Sequence, residues 1–76
     1  MKLSFIGAGR VGSSTAFSVL HSVDSINEIA LVDIAGGLAE GEAQDLTHAA
    51  FAMGRGDVKI TGSQDYANAK NSDICV

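Results

Sequence analysis

The stretch Met1-Lys-Leu-Ser-Phe-Ile-Gly-Ala-Gly-Arg-Val-Gly12 decides how the rest of the chain is read. Leu3, Phe5 and Ile6 form a short apolar run of the kind that makes a buried strand. Gly7, Gly9 and Gly12 follow at the spacing G-x-G-x-x-G, and an amphipathic helical pattern begins near Arg10. In a strand–turn–helix each glycine has its own task. Gly7 allows the sharp turn out of the strand. Gly9 lets the backbone lie against a pyrophosphate with no Cβ in the way, and Gly12 removes bulk where the helix packs on the strand. The N–H groups of the first helical turn, carrying roughly half a positive charge, then face the ligand. With Ala8, Arg10 and Val11 between the glycines, residues 7–12 are the candidate phosphate loop. Nine glycines in 76 residues make a chance match easy, so the context has to carry the assignment: strand before, helix after, acid downstream.

That acid is Asp33. Ile29-Ala-Leu-Val-Asp33 reads as a second strand, nearly continuous in apolar character, as suits a parallel strand buried on both faces. Asp33 ends it, twenty-one residues after Gly12. A carboxylate there can accept hydrogen bonds from both hydroxyls of an adenosine ribose. It also repels a 2′-phosphate, and Ile34-Ala-Gly-Gly37 offers no Arg or Lys to neutralise one, which selects NAD over NADP. A surface turn aspartate is the plainer alternative.

Working outward, residues 2–7 read as the first strand and 10–23 as the first helix. Gly12, Ala16, Val19, Leu20 and Val23 fall on the helix face that meets the sheet. Ser13 and Ser14 read either as hydroxyls near the phosphates or as small polar residues satisfying the first turn. Residues 38–53 read as a second helix with Ala39, Ala43, Leu46, Ala50 and Met53 as its buried stripe. A second face, Gly41, Asp45, His48 and Ala52, is either a contact surface for another subunit or a solvated face with an Asp45–His48 pair. Gly41 costs the helix about 1 kcal/mol relative to alanine, so a close-packing reason is expected there. Residues 54–57 read as a turn, 58–61 as a third strand, 62–72 as a loop with one helical turn, and 73 onward as a fourth strand. The order β-α-β-α-β-β is that of a Rossmann-like half of a doubly wound α/β parallel sheet, a single mononucleotide-binding unit.

Composition sets limits. A chain of 76 residues is one small domain at most, 46% hydrophobic and without proline. A net charge of −4 argues against nucleic acid or an anionic membrane as partner. No apolar run approaches the roughly 20 residues of a membrane span, and Met1 leading straight into an apparent strand predicts no signal peptide. Cys75 is the lone cysteine, expected as a small buried residue of the fourth strand, and a cytoplasmic setting fits. His21 near the end of the first helix reads as a dipole-compensating residue, and neither it nor His48 reads as catalytic. The apolar run from Asp73 to Val76 stops inside an apparent strand, which points to part of a longer protein.

Together these features resemble the NAD-dependent malate and L-lactate dehydrogenases, and the malate enzymes more. The residues that carry the resemblance are Ile6-Gly-Ala-Gly-Arg-Val-Gly12, Leu31-Val-Asp33, Gly41-Glu-Ala-Gln-Asp-Leu-Thr-His-Ala49, and Asp65-Tyr66 with Asn71-Ser-Asp73-Ile. The third segment is more specific than the glycines. By position, the resemblance implies a pyrophosphate loop on Gly7, Ala8, Gly9, Arg10, Val11 and Gly12, and a ribose acid at Asp33. It also implies a cofactor-side tyrosine at Tyr66, for which a ring packed on the loop is the alternative reading. It implies NAD as cofactor, a small 2-hydroxy or 2-oxo acid as substrate, and a homo-oligomer contact through the 38–53 helix. The family's catalytic histidine, its aspartate partner and its substrate-binding arginines lie downstream of this segment. No catalytic residue is therefore named, and no turnover is expected from the chain alone. A competing reading is a stand-alone, self-associating nucleotide-binding half-domain. A flavin or acyl-CoA dehydrogenase of the same fold is disfavoured by the Gly41–Ala49 segment.

Overall fold

The computed structural model describes residues 1–7, 10–34 and 37–76, with residues 10–13 described by backbone alone. In chain order the elements are β1 (Lys2–Ile6), α1 (Arg10–Ser22), β2 (Glu28–Val32), α2 (Leu38–Ala52), β3 (Lys59–Ser63), a 3₁₀ turn (Tyr66–Ala69) and β4 (Ile74–Cys75). All strand pairs are parallel, and the sheet order is β3-β2-β1-β4. The chain therefore leaves β3 at one edge and re-enters at the other. The point where the connections diverge lies between β1 and β4, where open α/β sheets place their ligands.

The two faces of the sheet follow from strand alternation. Leu3 and Phe5 of β1 join Ile29 and Leu31 of β2 in one core with Ala16 and Leu20 of α1 and Ala39, Ala43, Leu46 and Ala50 of α2. The intervening residues face the opposite side, beneath the 3₁₀ segment. There Lys2 Nζ donates to the carbonyls of Asn68 and Lys70, at 2.9 and 2.8 Å, and lies 3.5 Å from Glu28. Buried Ser4 meets Ser72, whose hydroxyl donates to the Ala69 carbonyl at 2.6 Å. The Ser72 proton is thus committed, and Ser4 is the donor between the two hydroxyls.

Among the described side chains both expected helical stripes are buried, with Val19, Val23 and Met53 partly so, and Gly12 lies outside them. β3 differs from expectation. It runs to Ser63, two residues past the anticipated end, because Glu28–Val32 of β2 pairs residue for residue with Lys59–Ser63. Gly62 fits there for a steric reason: a Cβ would lie 2.2 Å from the Ala39 carbonyl oxygen of α2. Cys75 is exposed, against the expectation of burial, in a two-residue strand at the edge of the four-stranded sheet. Gly41 is also exposed and a Cβ there meets nothing within 4 Å among the described residues, so no packing among them requires a glycine.

α2 closes with a Schellman arrangement, Gly54 N donating to Phe51 O at 3.1 Å and Arg55 N to Ala50 O at 2.7 Å. This places the Arg55 side chain against the end of α1. Its guanidinium donates to the carbonyls of Leu20, Val23, Asp24 and Ile26, at 2.8, 3.3, 3.4 and 3.0 Å. Arg55 rather than His21 is the cation that fills the carbonyl end of that helix; His21 lies in its last turn, exposed.

Candidate functional site

The carboxyl ends of β1 and β2 lie side by side. Ile6 pairs with Val32, and just beyond that pair Gly7 N donates to the Val32 carbonyl at 2.7 Å. Gly7 has φ +81°, a backbone state open to glycine and strained for other residues, and it turns the chain out of β1 as expected. α1 begins at Arg10, three residues after Gly7 in the chain. Its first turn carries no acidic side chain.

Asp33 stands one residue past the end of β2, partly buried. Its N–H donates to the Ser63 carbonyl at 3.0 Å, so the β2–β3 ladder continues through it and fixes its backbone. The register therefore brings Gly7 and Asp33 to neighbouring strand ends, about 5 Å being the usual strand spacing. Ile34, next in the chain, is 73% exposed, which leaves an apolar surface beside the acid. Ala8 and Gly9 of the loop lie outside the described residues, as do the side chains of Arg10, Val11 and Ser13 and the packing of Gly12. Ser14 is exposed and lines the groove between α1 and α2 with Phe17, Ser18 and Asp45.

Tyr66 opens the 3₁₀ turn and is 59% exposed. Asp65 caps that turn, its carboxylate accepting from Ala67 N at 2.9 Å. On α2, Gly41, Asp45, His48 and Ala52 are all exposed, and among the described residues no ion pair joins Asp45 to His48. No cluster of metal-ligating side chains occurs among the described residues. Nor is any helix long and apolar enough to cross a membrane, within the same residues.

A glycine turn feeding a helix N-terminus, an acid at the neighbouring strand end and a 3-2-1-4 parallel sheet define a dinucleotide-binding unit of the Rossmann class. Residues 1–76 match the family model described as lactate/malate dehydrogenase, NAD binding domain, and the chain belongs to that family. Among curated relatives, the malate dehydrogenase of Archaeoglobus fulgidus is 55% identical over 76 residues, 100% of this chain and 25% of its own. The L-lactate dehydrogenase of Kosmotoga olearia is 49% identical over 76 residues, 100% of this chain and 23% of its own. The solved Archaeoglobus fulgidus malate dehydrogenase, in complex with NADH, superposes with a TM-score of 0.92 at 55% identity, covering 99% of this chain and 25% of that one. The chain thus spans about a quarter of the length of the relatives it matches. NAD is the cofactor of this domain family.

Proposed function

We propose that this chain supplies the adenosine and pyrophosphate grip of a malate dehydrogenase-like oxidoreductase. Such an enzyme moves hydride between NAD and a small 2-hydroxy acid, malate/oxaloacetate in preference to lactate. The observation that carries the reading is the hydrogen bond from Gly7 N to Val32 O, which holds the phosphate turn beside Asp33. The greater similarity to a malate than to a lactate enzyme supports the substrate preference. When bound, NAD supplies the hydride acceptor; what these residues do is bind and orient it. Gly7, Ala8, Gly9, Arg10, Val11 and Gly12 wrap the pyrophosphate at the start of α1, Asp33 accepts from the ribose hydroxyls, and Tyr66 flanks the adenosine. The proton-transfer and carboxylate-binding groups of the reaction belong to sequence beyond the 76 residues, in a separate substrate-binding part of the whole protein. A cytoplasmic homo-oligomer completes the reading. Its contact runs through residues 38–53, where the open space over exposed Gly41 supports close approach by a second copy.

Calorimetric titration with NAD and with ADP-ribose tests the site. Asp33→Ala and Gly9→Val each weaken binding by about tenfold or more, the first by removing charge-assisted hydrogen bonds and the second by placing a side chain against the phosphates. Unchanged affinity in both variants overturns the assignment. A second reading, a self-associating half-domain without catalysis, is favoured by one observation. An apolar groove of about 260 Å³ runs between β1, β4 and α1, lined by residues that include Leu3, Phe5, Val19, Ile74 and Val76.

A further inference from the structure

At Ser63 the main chain and the side chain turn to different partners. The carbonyl accepts from Asp33 N at 3.0 Å. The hydroxyl oxygen accepts from Asp65 N at 2.9 Å, two residues further on. Asp65 continues the series: its carboxylate accepts from Ala67 N at 2.9 Å and its carbonyl from Asn68 N at 3.0 Å. A line of hydrogen bonds therefore runs from the backbone of Asp33 to the 3₁₀ turn whose first residue is Tyr66. Three residues span at most about 11 Å, so Tyr66 stays near the strand end that holds Asp33.

Both ends of this line are anchored. Gly62, just before Ser63, is pressed against the first turn of α2, so the end of β3 cannot shift without moving that helix. Past Tyr66, the Asn68 side chain bonds Thr61 and its carbonyl holds Lys2 Nζ. Between the anchors, the Ser63 hydroxyl sets the direction in which residues 64–66 leave the sheet. Asp65 and Tyr66 are exposed, so little packing would hold that direction if the hydroxyl were removed.

We propose that Ser63 is a positioning residue that joins two parts of the adenosine grip, its carbonyl fixing Asp33 and its hydroxyl aiming the loop that carries Tyr66. The inference rests on the roles given above to Asp33 and Tyr66. Ser63 touches no ligand in this account; it acts through Tyr66.

The test is a titration of the protein and its variants with ADP-ribose, with thermal unfolding followed in parallel. Ser63→Ala weakens binding about fivefold, the effect of roughly one neutral hydrogen bond, and Ser63→Thr restores affinity to within about twofold. Tyr66→Ala weakens binding by a similar factor, and the double variant Ser63→Ala with Tyr66→Ala binds no more weakly than Tyr66→Ala alone. Ser72→Ala, which removes a hydroxyl bonded to Ser4, lowers the melting temperature and leaves affinity unchanged. Unchanged affinity in Ser63→Ala, additive losses in the double variant, or failure of threonine to rescue overturns the proposal. Asp33→Ala separates the two levels: if it leaves affinity unchanged, the binding-site reading itself fails. If it weakens binding while Ser63→Ala does not, only the role of Ser63 fails.

Discussion

The guanidinium of Arg55 donates to carbonyls at the end of α1 and in the turn after it, and its side chain is only 16% exposed. The final carbonyls of a helix have no partner within it, and those left without one in a partly buried place cost about 1–3 kcal/mol each. Arg55→Met keeps much of the side chain's apolar stem and removes every donor. It is expected to destabilise the chain by about 2–3 kcal/mol, read as a lower urea midpoint with unchanged slope. The ion pairs with Asp24 and Asp57, at 3.9 and 4.0 Å to exposed carboxylates, contribute little to that figure. None of this was legible in the sequence. A cap delivered from 35 residues away leaves no trace in helical periodicity, whereas Asp33 was legible because a strand end at a set distance from a glycine turn can be counted. Cys75 shows the converse limit. An apolar run reads as a buried strand, but burial depends on neighbours that the run itself does not encode.

At the level of elements, α2 carries a glycine contact of one kind and faces a second of another. Gly62 of β3 sits where a Cβ would collide with the backbone of Ala39, which has no flexible side chain to give way. Gly41 within the helix has open space around it. The same substitution is therefore expected to have opposite signs. Gly62→Ala forces α2 away from β3 and costs about 1–3 kcal/mol, the usual range for overpacking. Gly41→Ala at low protein concentration stabilises the chain by about 1 kcal/mol through helix propensity alone. Chemical denaturation of both variants checks the pair, and a loss of stability at Gly41 would contradict it. A glycine inside a β-branched strand is a signal of close backbone approach, so Gly62 was in principle readable. Gly-Ser-Gln-Asp has the composition of a turn, which masks that signal and starts the expected loop at Gly62. The parallel register with β2 decided otherwise.

For the whole molecule, the 3-2-1-4 order leaves β3 and β4 as edges and sets α1 and α2 together on one face. The alternation of strands and helices was legible because short apolar runs give way to stripes of period 3.6. The placement of β4 beside β1 was not legible in any residue of β4; the pairing of Leu3 with Ile74 and Ser4 with Cys75 shows it. On α2, Phe51 is a large apolar residue left 79% exposed. If residues 38–53 form the contact between copies, Gly41→Arg fills the space that a second copy would enter and leaves the isolated fold intact. Equilibrium sedimentation at high micromolar concentration is expected to show association of the unmodified chain and a monomer for this variant. A clean monomer in both cases would remove the contact surface from the account.

The distance along the chain between α1 and its cap has a consequence for synthesis. At about 5–20 residues per second, Arg55 is added roughly two to seven seconds after Leu20. Throughout that interval the nascent β1–α1 segment lacks the side chain that completes its first helix. The carbonyl end of α1 is thus made early and capped late, and a ribosome pause between residues 22 and 55 would lengthen the period in which it stands uncapped.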